Sequence, residues 1–282
     1  MAEKIVVQAW TQKARNYEQT AKDGFWGIGD LLRGSNVLFD ACKAIGAGYV
    51  LDITGHPVSN IFTPANSVGA DPGDVEFWTF GPPEEVSERL TNALAVSDRL
   101  VLNTNGGRNW PAESSADWSK LVRQVMTPNP IFEQHLAQVM PSEPYNIFHF
   151  RLGDAGLVRG EKSQLRRAIQ ALDRHGEHDD IVITDSLEFQ EYIRNHRKCF
   201  RVSDAIPVHT GLSSDTTTIA QTMGDFFLIG HAKKAKSYSV YGHTSGFVVA
   251  ASRLFDVPLI SLSVRSKSRT KNLFKKLKTL WR

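Results

Sequence analysis

The sequence predicts an α/β protein made of two successive doubly wound domains. Three observations carry that reading: near-continuous runs of Val, Ile, Leu and aromatic residues, helical stretches between them, and a restart of the same alternation past a proline-marked region near mid-chain. Strands read as unbroken apolar runs when helices cover both faces of a parallel sheet. A chain of 282 residues is long enough for about two domains of ordinary size.

In the first half, IVVQAW at 5–10 is the opening strand, followed by a glycine loop at 24–29 and a helix from Asp30 to Ile45. GYVLDI at 48–53, VEFWTF at 75–80, a helix after Pro82 and Pro83, and RLVLNT at 99–104 complete the set. Residues 105–143 show no clear strand, and their prolines predict helices joined by turns, with a boundary near Pro141 to Pro144. The second half reads as strands NIFHFR (146–151), DIVITD (180–185), CFRVS (199–203), SYSVYG (237–242) and PLISLS (258–263). Helices at 161–174, 187–195, 215–229 and 244–255 separate them. The expected organisation is residues 1–142 as one domain, 143–264 as a second and 265–282 as a tail. Ligands of doubly wound sheets lie beyond the carboxyl ends of the strands, so the expected site is an interdomain cleft.

Composition excludes several classes. Hydrophobic residues at 41% and charged residues at 22% suit a globular protein rather than a disordered one. The opening MAEKIVVQAW is too short in apolar residues for a secretion signal, and no segment approaches the ~20 needed to cross a bilayer, so the expected location is cytoplasmic. Cys42 and Cys199 lack metal-ligand spacing and read as reduced packing residues. Net charge is +3, yet residues 265–282 carry eight Lys or Arg and no acid, which leaves the body acidic. Within that tail Leu273, Phe274, Leu277, Leu280 and Trp281 recur at helical spacing against Lys275, Lys276 and Lys278. Such a basic amphipathic helix suits either an anionic membrane surface, making the protein peripheral at the inner face, or the neighbouring domain. An acidic body without a recognition motif argues against nucleic acid as a partner.

Polar clusters stand at four strand exits. In GFWGIGDLLRGS, Gly27 and Gly29 precede the first helix, where backbone N–H groups and the helix dipole favour an anion. The same residues equally describe a tight turn with Asp30 as N-cap, and the spacing lacks the third glycine of a dinucleotide fingerprint, with Asp52 as the only acid near the end of the second strand. In HFRLGD, alternation sends Phe148 and Phe150 to one face and His149 and Arg151 to the other. A guanidinium there can fork onto a phosphate, or pair with Asp154 and pin the turn. In GHTSGF, Thr244, Ser245 and Gly246 at a helix start form either an anion cradle or an ordinary cap. In IVITDS, Thr184 and Asp185 read as a binder or a helix cap.

These motifs, in this order, resemble the fucosyltransferase superfamily of GT-B fold, the group of nodulation, core α1,6- and protein O-fucosyltransferases. HFRLGD is similar to its first motif, IVITDS to its second, GDFFLIGHAKKAKSYSVYGHTSGFVVAA to its third, and GIGDLLRG to its N-terminal loop, closest to the nodulation form. The resemblance implies two Rossmann-like domains facing an interdomain cleft. It also implies transfer of L-fucose from GDP-fucose to a glycan or oligosaccharide acceptor, as in polysaccharide biosynthesis, with inversion and no obligatory metal or cofactor. Carried over, Arg151 binds the donor diphosphate with His149 beside it. Ser245 and Phe247 line the phosphate and nucleoside pocket, Asp225 contacts base or ribose, and Gly27, Gly29 and Asp30 shape the opposite side. Ser245-Gly246 departs from the consecutive serines of many relatives, so a backbone N–H or Thr244 must replace one hydroxyl. The chain contains no D-x-D triplet to hold a divalent ion on a diphosphate, which leaves Arg151 and helix dipoles to stabilise the leaving group. An inverting transfer needs a base, for which Asp30 and Asp154 are the candidates. Two alternatives stay open: another nucleotide sugar, and a non-catalytic binder of nucleotide sugars or glycans.

Overall fold

The computed structural model describes residues 4–12, 24–63, 74–78, 83–105, 110, 114–153, 162–205, 215–241 and 243–262. Two parallel sheets dominate it. The first contains β1 (Ile5–Ala9), β2 (Gly48–Asp52), β3 (Glu76–Trp78) and β4 (Arg99–Thr104) in the order β2-β1-β4-β3. The second contains β5 (Ile147–Arg151), β6 (Ile181–Thr184), β7 (Arg201–Val202), β8 (Ala235–Ser239) and β9 (Leu259–Ser261) in the order β7-β6-β5-β8-β9. Helices α1 (Ile28–Ile45), α2 (Pro83–Val96), α3 (Ala116–Val125) and α4 (Pro130–Val139) accompany the first sheet in sequence. Helices α5 (Lys162–His175), α6 (Leu187–His196), α7 (Thr216–Gly230) and α8 (Gly246–Leu254) accompany the second.

Each strand and helix predicted within the described residues exists, and the α/β reading holds. The differences are local and have causes. Helix α1 begins at Ile28 with Gly27 as its N-cap, so Asp30 occupies the first turn and does not cap. Strand β8 begins at Ala235, two residues before SYSVYG, and takes Lys236 into the sheet. A 3₁₀ turn at Pro57–Ile61, absent from the sequence reading, is started by Pro57 and by the His56 side chain, which accepts the Val58 N–H at 3.0 Å. Cys42 is buried in α1, as a packing residue would be, whereas Cys199 is exposed. Among the described residues no helix is long and apolar enough to cross a membrane. The basic tail at 265–282 lies outside them.

Burial sorts the side chains into three clusters. Val6, Leu38, Leu90 and Leu102 pack on the outer side of the first sheet, and Phe148, Phe150, Leu172 and Phe189 on the outer side of the second. Between the sheets runs one continuous apolar cluster that includes Trp10, Ile28, Phe62 and Phe132 from the first half with Ile147, Ile183, Phe226 and Val248 from the second. Each such side chain contributes roughly 1.5–3 kcal/mol of burial, so the halves are joined by core and not merely by a linker. Helix α1 crosses α8, and α4 with the Pro57 turn lies on α7.

In the first sheet the chain leaves β1 for β2 on one side and reaches β4 on the other. In the second it leaves β5 for β6 and later returns to β8. The two reversals of strand order therefore fall between β1 and β4 and between β5 and β8, where α/β sheets open a crevice for ligands.

Candidate active site

The loops after β1, β5 and β8 carry the residues singled out above, and the fold brings several together. Gly29, in the first turn of α1, lies so close to the start of α8 that a Cβ on it would stand 2.4 Å from the carbonyl carbon of Gly246 and 2.6 Å from the Phe247 nitrogen. Only a residue without a side chain permits that approach. The positive ends of two helix dipoles therefore meet, one from each half. The loop before α1 is held from behind: the His56 ring sits 4.7 Å from Phe25, and its Nε2 lies 3.4 Å from the Trp26 carbonyl oxygen. Asp52 is committed elsewhere, its Oδ1 accepting the Thr54 N–H and hydroxyl at 2.9 and 2.6 Å. That commitment weakens a dinucleotide reading.

Strand β5 delivers His149 and Arg151 to the inter-sheet face, as alternation predicts, while Phe148 and Phe150 turn outward. His149 is buried, stacks on Phe247 with centroids 6.3 Å apart, and places Nδ1 3.4 Å from the Ser237 hydroxyl. Burial, helped by the Arg151 charge, lowers its pKa to about 3, so the imidazole is neutral at physiological pH. It packs beside Phe247 as an uncharged ring.

Arg151 ends β5 at the second reversal of strand order, opposite Ser239 of β8. Its Nη1 donates to Asp185 Oδ2 at 2.6 Å. Asp185 also accepts the Leu152 N–H at 2.7 Å and the Gly153 N–H at 3.3 Å. The carboxylate thus ties the β6 exit to the β5 exit and fixes the guanidinium. Burial pushes the Asp185 carboxyl above its usual range, while Arg151 and the two N–H groups pull it back. A quarter of the Arg151 side chain is still exposed, and a guanidinium offers five N–H donors in a planar fork. The Tyr241 ring lies 5.8 Å away. Asp154, the alternative partner, lies outside the described residues.

At the start of α8, Ser245 is the N-cap residue but makes no capping hydrogen bond with its side chain. Thr244 instead pairs its hydroxyl with that of Ser261 at 2.6 Å. Neither residue is the ordinary side-chain cap that sequence allowed. Thr184, by contrast, accepts the Ser186 N–H at 3.2 Å and serves the turn into α6.

Two expectations separate from this group. Asp30 is ion-paired with Arg33 at 2.7 Å, and Arg33 Nε also donates to the Asn105 carbonyl at 3.1 Å. Arg33 went unnoticed in the sequence, although its position three residues after Asp30 on a helix is a legible pairing signal. Asp225 lies well inside α7, bonded to the Ser203 hydroxyl beyond β7, and lines a cavity to which Arg151, His149 and Ser245 do not contribute. Among the described residues, no group of three or more His, Cys, Asp or Glu is gathered as a metal cage.

Neither a protein-family model nor a curated protein sequence matches the chain. Solved structures do. NodZ fucosyltransferase from Bradyrhizobium superposes with a TM-score of 0.56 at 13% identity, over 93% of this chain and 95% of that chain. NodZ α-1,6-fucosyltransferase soaked with GDP-fucose gives 0.54 at 14%, over 92% and 94%. A mutant of Arabidopsis thaliana FUT1 in complex with GDP gives 0.55 at 10%, over 95% of this chain and 72% of that one. Likeness at such identities establishes the fold: the GT-B arrangement that the motifs implied is the arrangement of this chain.

Proposed function

We propose that the chain is an inverting glycosyltransferase that takes a sugar from a nucleoside-diphosphate donor, GDP-fucose in the first instance, and passes it to a hydroxyl of a glycan or oligosaccharide. The observation that carries this reading is the meeting of α1 and α8 at Gly29 and Gly246, beside the strand exit from which Asp185 presents Arg151. Two helix N-termini and one oriented guanidinium gather positive charge where a diphosphate would leave. That NodZ has been solved with GDP and with GDP-fucose, on the same fold, supports the choice of donor.

In the proposed reaction the acceptor oxygen bonds to the anomeric carbon as the bond from that carbon to the β-phosphate oxygen breaks. The electron pair goes to the phosphate, and the acceptor proton goes to a carboxylate or to water. Arg151 binds the diphosphate and stabilises its growing charge, with N–H groups and the Ser245 hydroxyl at the α8 start as further donors. This charge comes from the chain itself and needs no bound cation. The neutral His149 and Phe247 form the wall behind the phosphates. Asp185 orients Arg151. On the first-domain side, Gly27 and Gly29 let backbone approach the donor, and Asp30 is a candidate base through Oδ2, because Arg33 occupies Oδ1. Asp154 is the other candidate. Residues 1–142 thus serve the acceptor and residues 143–264 the donor.

A thermal-shift panel of GDP, UDP, CMP and ADP with their sugars, followed by assay of GDP release from GDP-fucose with and without oligosaccharides, tests the proposal. GDP is expected to raise the melting temperature most, and acceptor to stimulate release. A GDP shift without release under any acceptor would make the protein a non-catalytic binder, and a larger shift with another nucleotide would reassign the donor.

A further inference from the structure

Behind the glycine loop lies a buried histidine to which the proposed reaction gives no part. His56 is 1% exposed and caps the Pro57 turn through Nδ1, which accepts the Val58 N–H at 3.0 Å. A ring nitrogen that accepts from a backbone N–H carries no proton, so in the neutral imidazole the proton sits on Nε2. That Nε2 lies 3.4 Å from the Trp26 carbonyl oxygen, in the loop that leads into α1. One tautomer therefore serves two segments, one through each nitrogen. Two rings hold the imidazole edge-on, Phe25 of the same loop at 4.7 Å and Trp10 at 5.9 Å.

Gly55 brings His56 to this place. A Cβ on that residue would stand 2.8 Å from the Trp10 carbonyl oxygen, so only glycine lets the turn after β2 press against the end of β1. On its far side the Pro57 turn is tied down. The Asn129 N–H donates to the Ile61 carbonyl at 3.0 Å, the Thr63 N–H donates to the Thr127 carbonyl at 2.8 Å, and the turn packs on α7. The imidazole thus joins the loop before α1 to a segment anchored against the other half. Gly29, two residues past that loop, has to meet Gly246 closely, and a displacement of about 1 Å in a site can cost ~10²-fold in rate.

We propose that His56, as its neutral Nε2–H tautomer, is a positioning residue that holds the backbone of Phe25, Trp26 and Gly27 so that the first turn of α1 reaches the start of α8. Its effect on turnover rests on the transferase reading above, and its effect on the loop does not. In heteronuclear NMR of the imidazole groups of the full chain, with the signal assigned by its loss in His56→Asn, His56 is expected as the Nε2–H form at neutral pH. His56→Asn keeps an oxygen for the Val58 N–H but is too short to reach Trp26. It is expected to speed amide exchange about 10-fold at Asp30 and Leu31, whose N–H groups donate to the Gly27 carbonyl at 2.9 and 3.1 Å. Acceptor-stimulated GDP release should fall about 10-fold or more, with GDP affinity near wild type. His56→Gln, whose longer amide reaches the Nε2 position, should restore exchange and turnover while lowering the melting temperature through the lost cap. An Nδ1–H or doubly protonated His56 in the wild type overturns the proposal. So does wild-type exchange at Asp30 and Leu31 in folded His56→Asn, or a folded His56→Gln that behaves as His56→Asn does. A wild type that releases no GDP under any acceptor would defeat the transferase reading instead, and the tautomer and exchange measurements would still decide the role of His56.

Discussion

The two ends of the second sheet each carry an ion pair to an aspartate, and they are built differently. At the carboxyl end, Arg151 and Asp185 are 25% and 20% exposed, two backbone N–H groups share the carboxylate, and α8 begins close by. At the amino end, Lys236 and Asp180 are 5% and 0% exposed, and Lys236 Nζ is also bonded to the His175 carbonyl at 2.8 Å and to Glu177 at 3.0 Å. The first pair keeps a planar cation in place while leaving part of it accessible. The second uses up a point charge in a sealed corner. A buried ion pair is weak evidence for stability in itself, but removing one partner leaves an uncompensated charge. The comparison teaches that accessibility, more than the presence of a salt bridge, separates the two ends of the sheet.

The largest expected effect is therefore at the amino end and falls on stability. Lys236→Ala should cost about 3–5 kcal/mol in chemical denaturation, because Asp180 is left charged and buried. Replacing both members, Lys236→Met with Asp180→Leu, should recover much of that loss, and turnover per folded molecule should stay near wild type. Equal losses in the single and double variants would show that the pair is needed for some reason other than charge. At the carboxyl end the effect falls on catalysis: Arg151→Ala should lower turnover of GDP-fucose about 10²-fold or more, as when one stabiliser of a leaving oxyanion is removed, with a small change in melting temperature. Gly29→Ala sharpens the contrast from a third direction. Its Cβ meets backbone at Gly246, so a cost of roughly 1–3 kcal/mol from overpacking is expected, together with lost donor binding.

Two smaller effects are read from pH. His149 is depressed to about 3 in the folded protein, against an ordinary value near 6.5. The unfolded chain therefore takes up the proton first, and the contribution of this residue to stability, complete above about pH 6.5, is lost as pH falls toward 3. A His149→Gln variant should show a flatter acid limb in denaturation measured across that window. Asp225 behaves oppositely. Its folded value of about 7 exceeds the ordinary 3.8, so its contribution is greatest below pH 4 and is lost as pH rises toward 7. Asp225→Asn should flatten the stability profile between pH 4 and 7. An unchanged profile in either variant would mean that another group carries the titration.

Much of this architecture was legible in the sequence because the inner strands are unbroken. Ile147 to Phe150 and Ile181 to Ile183 have no polar interruption except His149, whose neutrality is why it is tolerated there. Strand β8 was displaced by two residues because Lys236 looks like a strand boundary. Its neutralising partner Asp180 is 56 residues away, and the pairing is visible only after folding. The same limit applies to the site. Glycines before α1 and the Arg151 exit could be picked out by local pattern, but Asp185 as the partner of Arg151, 34 residues on, could not. Nor could the contact of Gly29 with Gly246, which joins opposite halves of the chain. Asp225 and Ser245 were both read from one motif, yet Asp225 faces the α4 side of α7 and enters a different cavity.

Calorimetric titration of GDP into the wild type, Arg151→Ala and Lys236→Ala bears most directly on the functional assignment of the two sheet ends. Loss of a charged hydrogen bond to phosphate should weaken GDP by about 10-fold or more in Arg151→Ala, while folded Lys236→Ala binds GDP as the wild type does. Wild-type affinity in a folded Arg151→Ala protein would contradict the placing of the diphosphate at the β5 exit.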